Sequence, residues 1–270
     1  MKPDLTKINI MGVINTTPDS FSDGGLYSNS TKAVEHARKL IDEGADILDI
    51  GGESTRPGAV DVPLNEEIRR TIPVIESIRK FSDIPISIDT SKAQVMRAAA
   101  EAGVDMINDV RALREEGALT VAADSGLLVC LMHMQGAPDS MQDNPLYDNV
   151  VEQVSYFLTD RINIALSSGI TKNNICIDPG FGFGKTLQQN LQLLASLATF
   201  KAMGYPLLAG LSRKSMLGLL LDKPVDQRLY GSLSAAVISA MLGADIIRVH
   251  DVTETKDALT IVQAVLQQSP

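Results

Sequence analysis

Nine residues able to accept, donate or carry charge stand at intervals along this chain, each at or just past the end of a short apolar run. They are Asn15, Asp49, Asp89, Asn108, His133, Asp178, Lys214, Arg248 and His250. Singly, each would pass as a turn or cap residue, because Asp and Asn are common there. Together they make a nearly complete ring of polar groups suited to a large polar ligand. Carboxylates accept hydrogen bonds from an N–H-rich edge, while ammonium and guanidinium groups donate to an oxygen-bearing one. Arg248 and His250 lie two apart, so an extended strand end sends both to the same side. Lys214 and Ser215, in SRKSMLG, follow an apolar run and open a helix, whose free backbone N–H groups can hold an anion. Lys214 would also suit a Schiff base, but the flanking Ser212, Arg213 and Ser215 favour hydrogen bonding and charge pairing.

Three glycine-rich stretches accompany the ring. DPGFGFGK, from Asp178 to Lys185, matches neither the dinucleotide nor the P-loop pattern. It offers an acid followed by a loop whose backbone can approach a flat ligand, with Phe183 as a wall for an aromatic ring. NTTPDSFSDGG (15–25) and GGESTRPG (51–58) are long for connections that usually run about 2–6 residues, and read as lids. No His/Cys cluster has metal-ligand spacing. A weakly held Mg2+ bridging phosphates is compatible with the oxygen ligands present, Asn15 among them. Cys130 and Cys176 sit in apolar runs and read as small buried hydrophobes in a reducing cytosol.

Strands and helices must alternate to place these groups. Apolar, β-branched runs lie near Ile8, Ile47, Ile86, Met106, Val129, Ile175, Leu207 and Ile247, with helical spacing between them. Helix starts are expected at Ser30 or Thr31, Asn65, Thr90 or Ser91, and near Glu115, Asn149, Leu187, Leu229 and Thr253. The recurrence Gly44-Ala45-Asp46, Gly103-Val104-Asp105 and Gly243-Ala244-Asp245 reads as a repeated turn from helix to strand. Eight such units close a parallel (β/α)8 TIM barrel, with long βα loops 1 and 2 over its C-terminal face, although eight strands also permit an open doubly wound sheet. With no Pro- or Ser-rich linker, residues 1–270 read as one domain.

With 44% hydrophobic and 21% charged residues, the 270-residue chain is composed like a soluble globular protein. Its net charge of −9 argues against general nucleic-acid or anionic-membrane binding. The N-terminus lacks a signal peptide's apolar stretch, and no run approaches the roughly 20 apolar residues of a membrane span, so a cytoplasmic location is expected.

The motifs MGVINTTPDSFSDGG, GGESTRPG, SIDTSK, MINDV, HMQG, DPGFGFGK, SRKS and RVHDV, in that order across residues 10 to 251, resemble the dihydropteroate synthases. The resemblance implies condensation of 6-hydroxymethyl-7,8-dihydropterin pyrophosphate with p-aminobenzoate, giving 7,8-dihydropteroate and pyrophosphate. It implies that Asp89, Asn108, Asp178 and Lys214 hold the pterin, with Arg248 against its ring and Met132 and Gly182 lining the pocket. Asn15, Thr55, Arg56, Arg248 and His250 would surround pyrophosphate and a Mg2+ cofactor held by Asn15. Phe183, Ser212, Lys214 and Ser215 would form the aminobenzoate side, closed by Phe21 and Pro57, and Asp23 would stabilise a pterin cation left by a dissociative step. Sulfonamides would compete with aminobenzoate, and the chain would form a homodimer. A pterin-dependent methyltransferase would lack SRKS and the first-loop motif, and a silent paralogue would lose Lys214 or the lids; the sequence keeps them all.

Overall fold

Each expected apolar run forms a strand, and the eight strands form one parallel sheet. They are β1 (Asn9–Asn15), β2 (Ile47–Gly51), β3 (Ile86–Asp89), β4 (Met106–Asp109), β5 (Leu128–Met132), β6 (Ile175–Asp178), β7 (Leu208–Ala209) and β8 (Ile246–Val249). In this computed structural model, which describes residues 3–17, 26–54, 61–136, 141 and 145–268, the strand order is β6-β5-β4-β3-β2-β1-β8-β7. A parallel bridge between Ile177 and Leu207 joins the two ends and closes the barrel. The open sheet is thereby excluded.

Helices alternate with the strands: α1 (Leu26–Asp42), α2 (Leu64–Arg79), α3 (Ala93–Glu101), α4 (Ala118–Ser125) and α5 (Val150–Ser167). The second half adds α6 (Leu187–Ala195), α7 (Leu197–Lys201), α8 (Ser215–Leu221), α9 (Leu229–Met241) and α10 (Val252–Leu266). Apolar side chains such as Ile10, Ile50, Ile88 and Ile107 pack outward against the helices, while Met11, Ile47, Met106, Cys130, Cys176 and Ile246 fill the barrel's inside. Both cysteines are free and buried, as expected. No helix among the described residues is long and apolar enough to cross a membrane.

Three helix starts differ from expectation. Helix α1 begins at Leu26, upstream of Ser30 and Thr31, because a few Ser and Asn residues cost only tenths of a kcal/mol each inside a helix. Pro63 occupies the cap position of α2 in place of Asn65, since its fixed φ suits that entry. Lys92, not Thr90 or Ser91, precedes α3, and the Thr90 hydroxyl accepts from its N–H at 3.2 Å. Asn149 does cap α5, its Oδ1 accepting from Val151 and Glu152 N–H. Asn149→Ala is expected to cost about 1 kcal/mol in urea unfolding, the usual loss of an N-cap.

The Gly-Ala-Asp recurrence builds the lower rim. Gly44, Gly103 and Gly243 take φ of 95°, 96° and 99°, the left-handed turn that ends a helix. The aspartate of each turn accepts from the N–H at or near a neighbouring strand's start: Asp46 from Ile10, Asp105 from Ile86, Asp245 from Leu207. Each also pairs with a base, Lys7, Arg79 and Lys201 respectively. At the opposite rim, loops 1 and 2 run from Asn15 to Leu26 and from Gly51 to Leu64, and only their bases are described.

Candidate active site

Side chains alternate faces along a strand. Two positions beyond inward-facing Ile47, Met106, Cys176 and Ile246 stand Asp49, Asn108, Asp178 and Arg248. A polar layer therefore rests directly on the apolar floor of the barrel, and Asp89 joins it from the end of β3. Asp49, Asp89, Asn108 and Asp178 are all buried.

Arg248 is the hub of this layer. Its Nε donates to Asp49 Oδ2 at 2.6 Å and its Nη2 to Asp89 Oδ2 at 3.0 Å. Asn108 Nδ2 donates to the same Asp49 oxygen at 3.2 Å. One guanidinium thus serves two carboxylates, and Asp49 Oδ1 and Asp89 Oδ1 remain buried without a hydrogen-bond partner among the described residues. Such unmet acceptors are costly in a folded protein, and these two suit N–H groups supplied by a ligand. Burial, with Asp49 nearby, raises the Asp89 pKa to about 7 despite Arg248. Partial burial works against the Arg248 charge, and Asp49 and Asp89 more than offset it, so its pKa lies above the ordinary arginine value.

Lys214 stands opposite, immediately before α8. Its Nζ donates to the Phe181 carbonyl and sits 4.7 Å from the centre of the Phe183 ring. Removal from water lowers its pKa to about 8, although Asp178 pulls the other way. Burial raises the pKa of Asp178, opposed by Lys214, and Asp178 Oδ1 accepts from Gly180 N–H at 2.7 Å. Phe183 packs on Val110, Met132, Met134 and Met141, so Met132 lies beneath the aromatic wall, and Gly182 lies against the Lys214 side chain.

The loops after β7 and β8 are stitched together. Ser212 Oγ lies 3.0 Å from His250 Nδ1 and accepts from His250 N–H at 3.2 Å. Between Ser212 and Lys214, Arg213 takes φ 58° and pairs with Asp251. Ser215 opens α8 and is exposed, and Asn15 ends β1 at the same rim.

The structure therefore brings together Asp89, Asn108, Asp178, Lys214 and Arg248, with Phe183, Gly182 and Met132 beside Lys214, and Ser212 beside His250. Phe21, Asp23, Thr55, Arg56 and Pro57 lie outside the described residues. His133 stands just past the end of β5 as expected, but its ring is spent on Lys185, 3.0 Å away, and on a T-shaped contact with Phe157. Burial, with Lys185 adding to it, lowers its pKa to about 2. Two features had no assigned role in the sequence reading. Asp49 is the second partner of Arg248, which its place in the strand-end ring could have suggested. At the base of loop 2, Lys92 pairs with Glu53 and with buried Glu67, and Glu53 also accepts from Val62 N–H at 3.0 Å.

Residues 11–250 match the family model described as pterin binding enzyme. The dihydropteroate synthase of Haemophilus influenzae is 55% identical over 97% of this chain and 95% of its own. The crystal structure of the Yersinia pestis dihydropteroate synthase with a sulfonamide drug complex superposes with a TM-score of 0.94 at 51% identity, covering 98% of this chain and 96% of that one. The Xanthomonas albilineans dihydropteroate synthase with 4-aminobenzoic acid gives 0.93 at 52%, covering 98% and 95%.

Proposed function

This chain belongs to the dihydropteroate synthase family, transferases that join 6-hydroxymethyl-7,8-dihydropterin pyrophosphate to p-aminobenzoate with release of pyrophosphate, and from that premise we propose which of its groups do the work. The observation that carries the assignment is the pair of unmet oxygens, Asp49 Oδ1 and Asp89 Oδ1, in the polar layer above the barrel floor. A pterin's amino and ring N–H groups are the donors this layer lacks. Asp89, Asn108 and Asp178 take that edge, while Lys214 donates to the carbonyl or ring nitrogen of the opposite one. Arg248 lies against the ring, using its planar guanidinium, and keeps its hold on the two acids.

At the rim, His250, Arg248 and Asn15 face the pyrophosphate, with Thr55 and Arg56 from loop 2. Among the described residues no group of three or more His, Cys, Asp or Glu could hold a metal. Asn15 would hold a weakly bound Mg2+ through its amide oxygen, a hard ligand of the kind that ion prefers. When bound, that ion supplies charge neutralisation to the leaving pyrophosphate. The protein's groups orient the two substrates and exclude water as the carbon–oxygen bond breaks and the arylamine nitrogen takes its place, losing a proton. Asp23 of loop 1 stabilises the cation between those events. Phe183, Ser212, Lys214 and Ser215 border the aminobenzoate, with Phe21 and Pro57 over it. Sulfonamides compete there, consistent with the drug complex of the Yersinia pestis enzyme.

The same proposal treats residues 1–270 as one pterin-binding unit in the cytoplasm, consistent with eight strands in one sheet and two free thiols. It includes a homodimer, supported by the exposed apolar residues Leu219, Leu220, Tyr230, Ile238, Met241 and Ile261 on α8 to α10.

Purified protein given dihydropterin pyrophosphate, Mg2+ and p-aminobenzoate is expected to form dihydropteroate, followed by chromatography. Asp89→Ala or Lys214→Ala should cut the rate by about 10²–10³-fold, as when one fixed polar contact is lost from a catalytic site. Absence of product from folded, pterin-binding wild type would overturn the assignment.

A further inference from the structure

The glycine loop between β6 and α6 is strapped from behind. Lys185, only 3% exposed, sends its Nζ to the carbonyls of Gly180 at 2.8 Å and Phe183 at 2.9 Å, and to His133 Nδ1 at 3.0 Å. The Tyr147 hydroxyl donates to the Gly184 carbonyl at 2.9 Å. Asn190 accepts from Gly182 N–H at 2.7 Å and donates to the Lys185 carbonyl at 3.1 Å. With Lys214 on the Phe181 carbonyl, a backbone group of each residue from Gly180 to Lys185 is held by a side chain. The loop also lies hard against the chain after β5: a Cβ at Gly180 would come within 1.9 Å of the His133 carbonyl oxygen, and one at Gly184 within 2.5 Å of that of Gln135.

A buried amine is an expensive peg. Removal from water pulls the Lys185 pKa well below the ordinary lysine range, with Asp178 opposing. An apolar side chain would fill the space more cheaply but could not tie two carbonyls and an imidazole together. We propose that Lys185 is a positioning residue for the aminobenzoate half of the site. By fixing the Gly180 and Phe183 carbonyls against His133, it sets the aromatic wall. His133 is the backstop of this device, itself in T-shaped contact with Phe157 at 4.8 Å between ring centres. The inference rests on the reading above that Phe183 and Lys214 border aminobenzoate.

Lys185→Met is expected to raise the aminobenzoate KM about tenfold and to lower kcat, while the calorimetric affinity for dihydropterin pyrophosphate stays within about twofold. That split is the signature of a displaced wall. Equal weakening of both substrates marks general loosening of the barrel and overturns the proposal. Phe183→Ala separates the two layers of the inference. An aminobenzoate KM raised by Phe183→Ala but not by a folded Lys185→Met overturns the part given to Lys185 alone. No change in either overturns the wall itself. Should Lys185→Met fail to fold, Tyr147→Phe removes only the strap at Gly184. It is expected to raise the aminobenzoate KM about threefold, and an unchanged value overturns the strapped-loop inference.

Discussion

Arg248→Met is expected to lower stability by roughly 3 kcal/mol, the low end of the range for breaking a buried ion pair, and to abolish measurable turnover. The low end applies because the Arg248 side chain keeps 23% of its exposure. The penalty arises less from lost contacts than from what stays behind, two buried carboxylates without the guanidinium that bridged them. It therefore depends on pH. The Asp89 pKa is already raised to about 7 by burial and by Asp49, and loss of Arg248 raises it further. A carboxyl whose folded pKa exceeds its unfolded value of about 4 contributes stability that is present at low pH. That contribution is lost as pH rises through the folded pKa. The variant should thus be most impaired at pH 8 and recover towards pH 5, where Asp89 holds a proton. Urea midpoints at the two pH values test this, and a penalty flat across them would remove Asp89 as the responsible group.

The second large effect is a narrow pH optimum for pterin binding. Asp89 accepts best when ionised, which requires pH above about 7, and Lys214 donates as an ammonium only below about 8. Affinity for 6-hydroxymethyl-7,8-dihydropterin, which lacks the titrating pyrophosphate, should peak between these values. One linked proton on each side gives a fall of about tenfold per pH unit. Calorimetry from pH 5 to 10 traces both limbs. Asp89→Asn should flatten the acid limb alone and Lys214→Met the alkaline limb alone. A bell that persists unchanged in both variants would assign the protons elsewhere.

Much of this site was legible in the strand ends, and the reason is geometric. A parallel barrel buries both faces of its strands, so each reads as an apolar run, and a polar residue at or just past its end stands out. Asp89, Asn108, Asp178, Lys214 and Arg248 were visible on that ground. What the strand pattern hides is pairing. Asp89 and Arg248 are 159 positions apart, and nothing local says that one guanidinium serves both Asp89 and Asp49. The inward alternation is equally hidden, because ILDIG is apolar on both sides of its aspartate. Lys185 ends a run of glycines, which announces a backbone turn without revealing that a buried amine holds it. Helix starts were read less well than strands. Pro63 and Lys92 take cap positions on backbone grounds, where side-chain preference pointed to Asn65 and to Thr90 or Ser91.

The lower rim has a consequence for how such a chain can change over generations. Its three aspartate turns, each clamping a neighbouring strand and a basic side chain, lie at the opposite end of the barrel from Asp89, Asn108, Asp178, Lys214 and Arg248. Tolerance of mutation is therefore distributed by rim. A replacement at the upper rim draws little on the lower-rim contacts that clamp the strands. The buried acids above the barrel floor can be kept, and the loops around them remodelled, against a reserve of stability held elsewhere. In this barrel, adaptability is a property of the base as much as of the site.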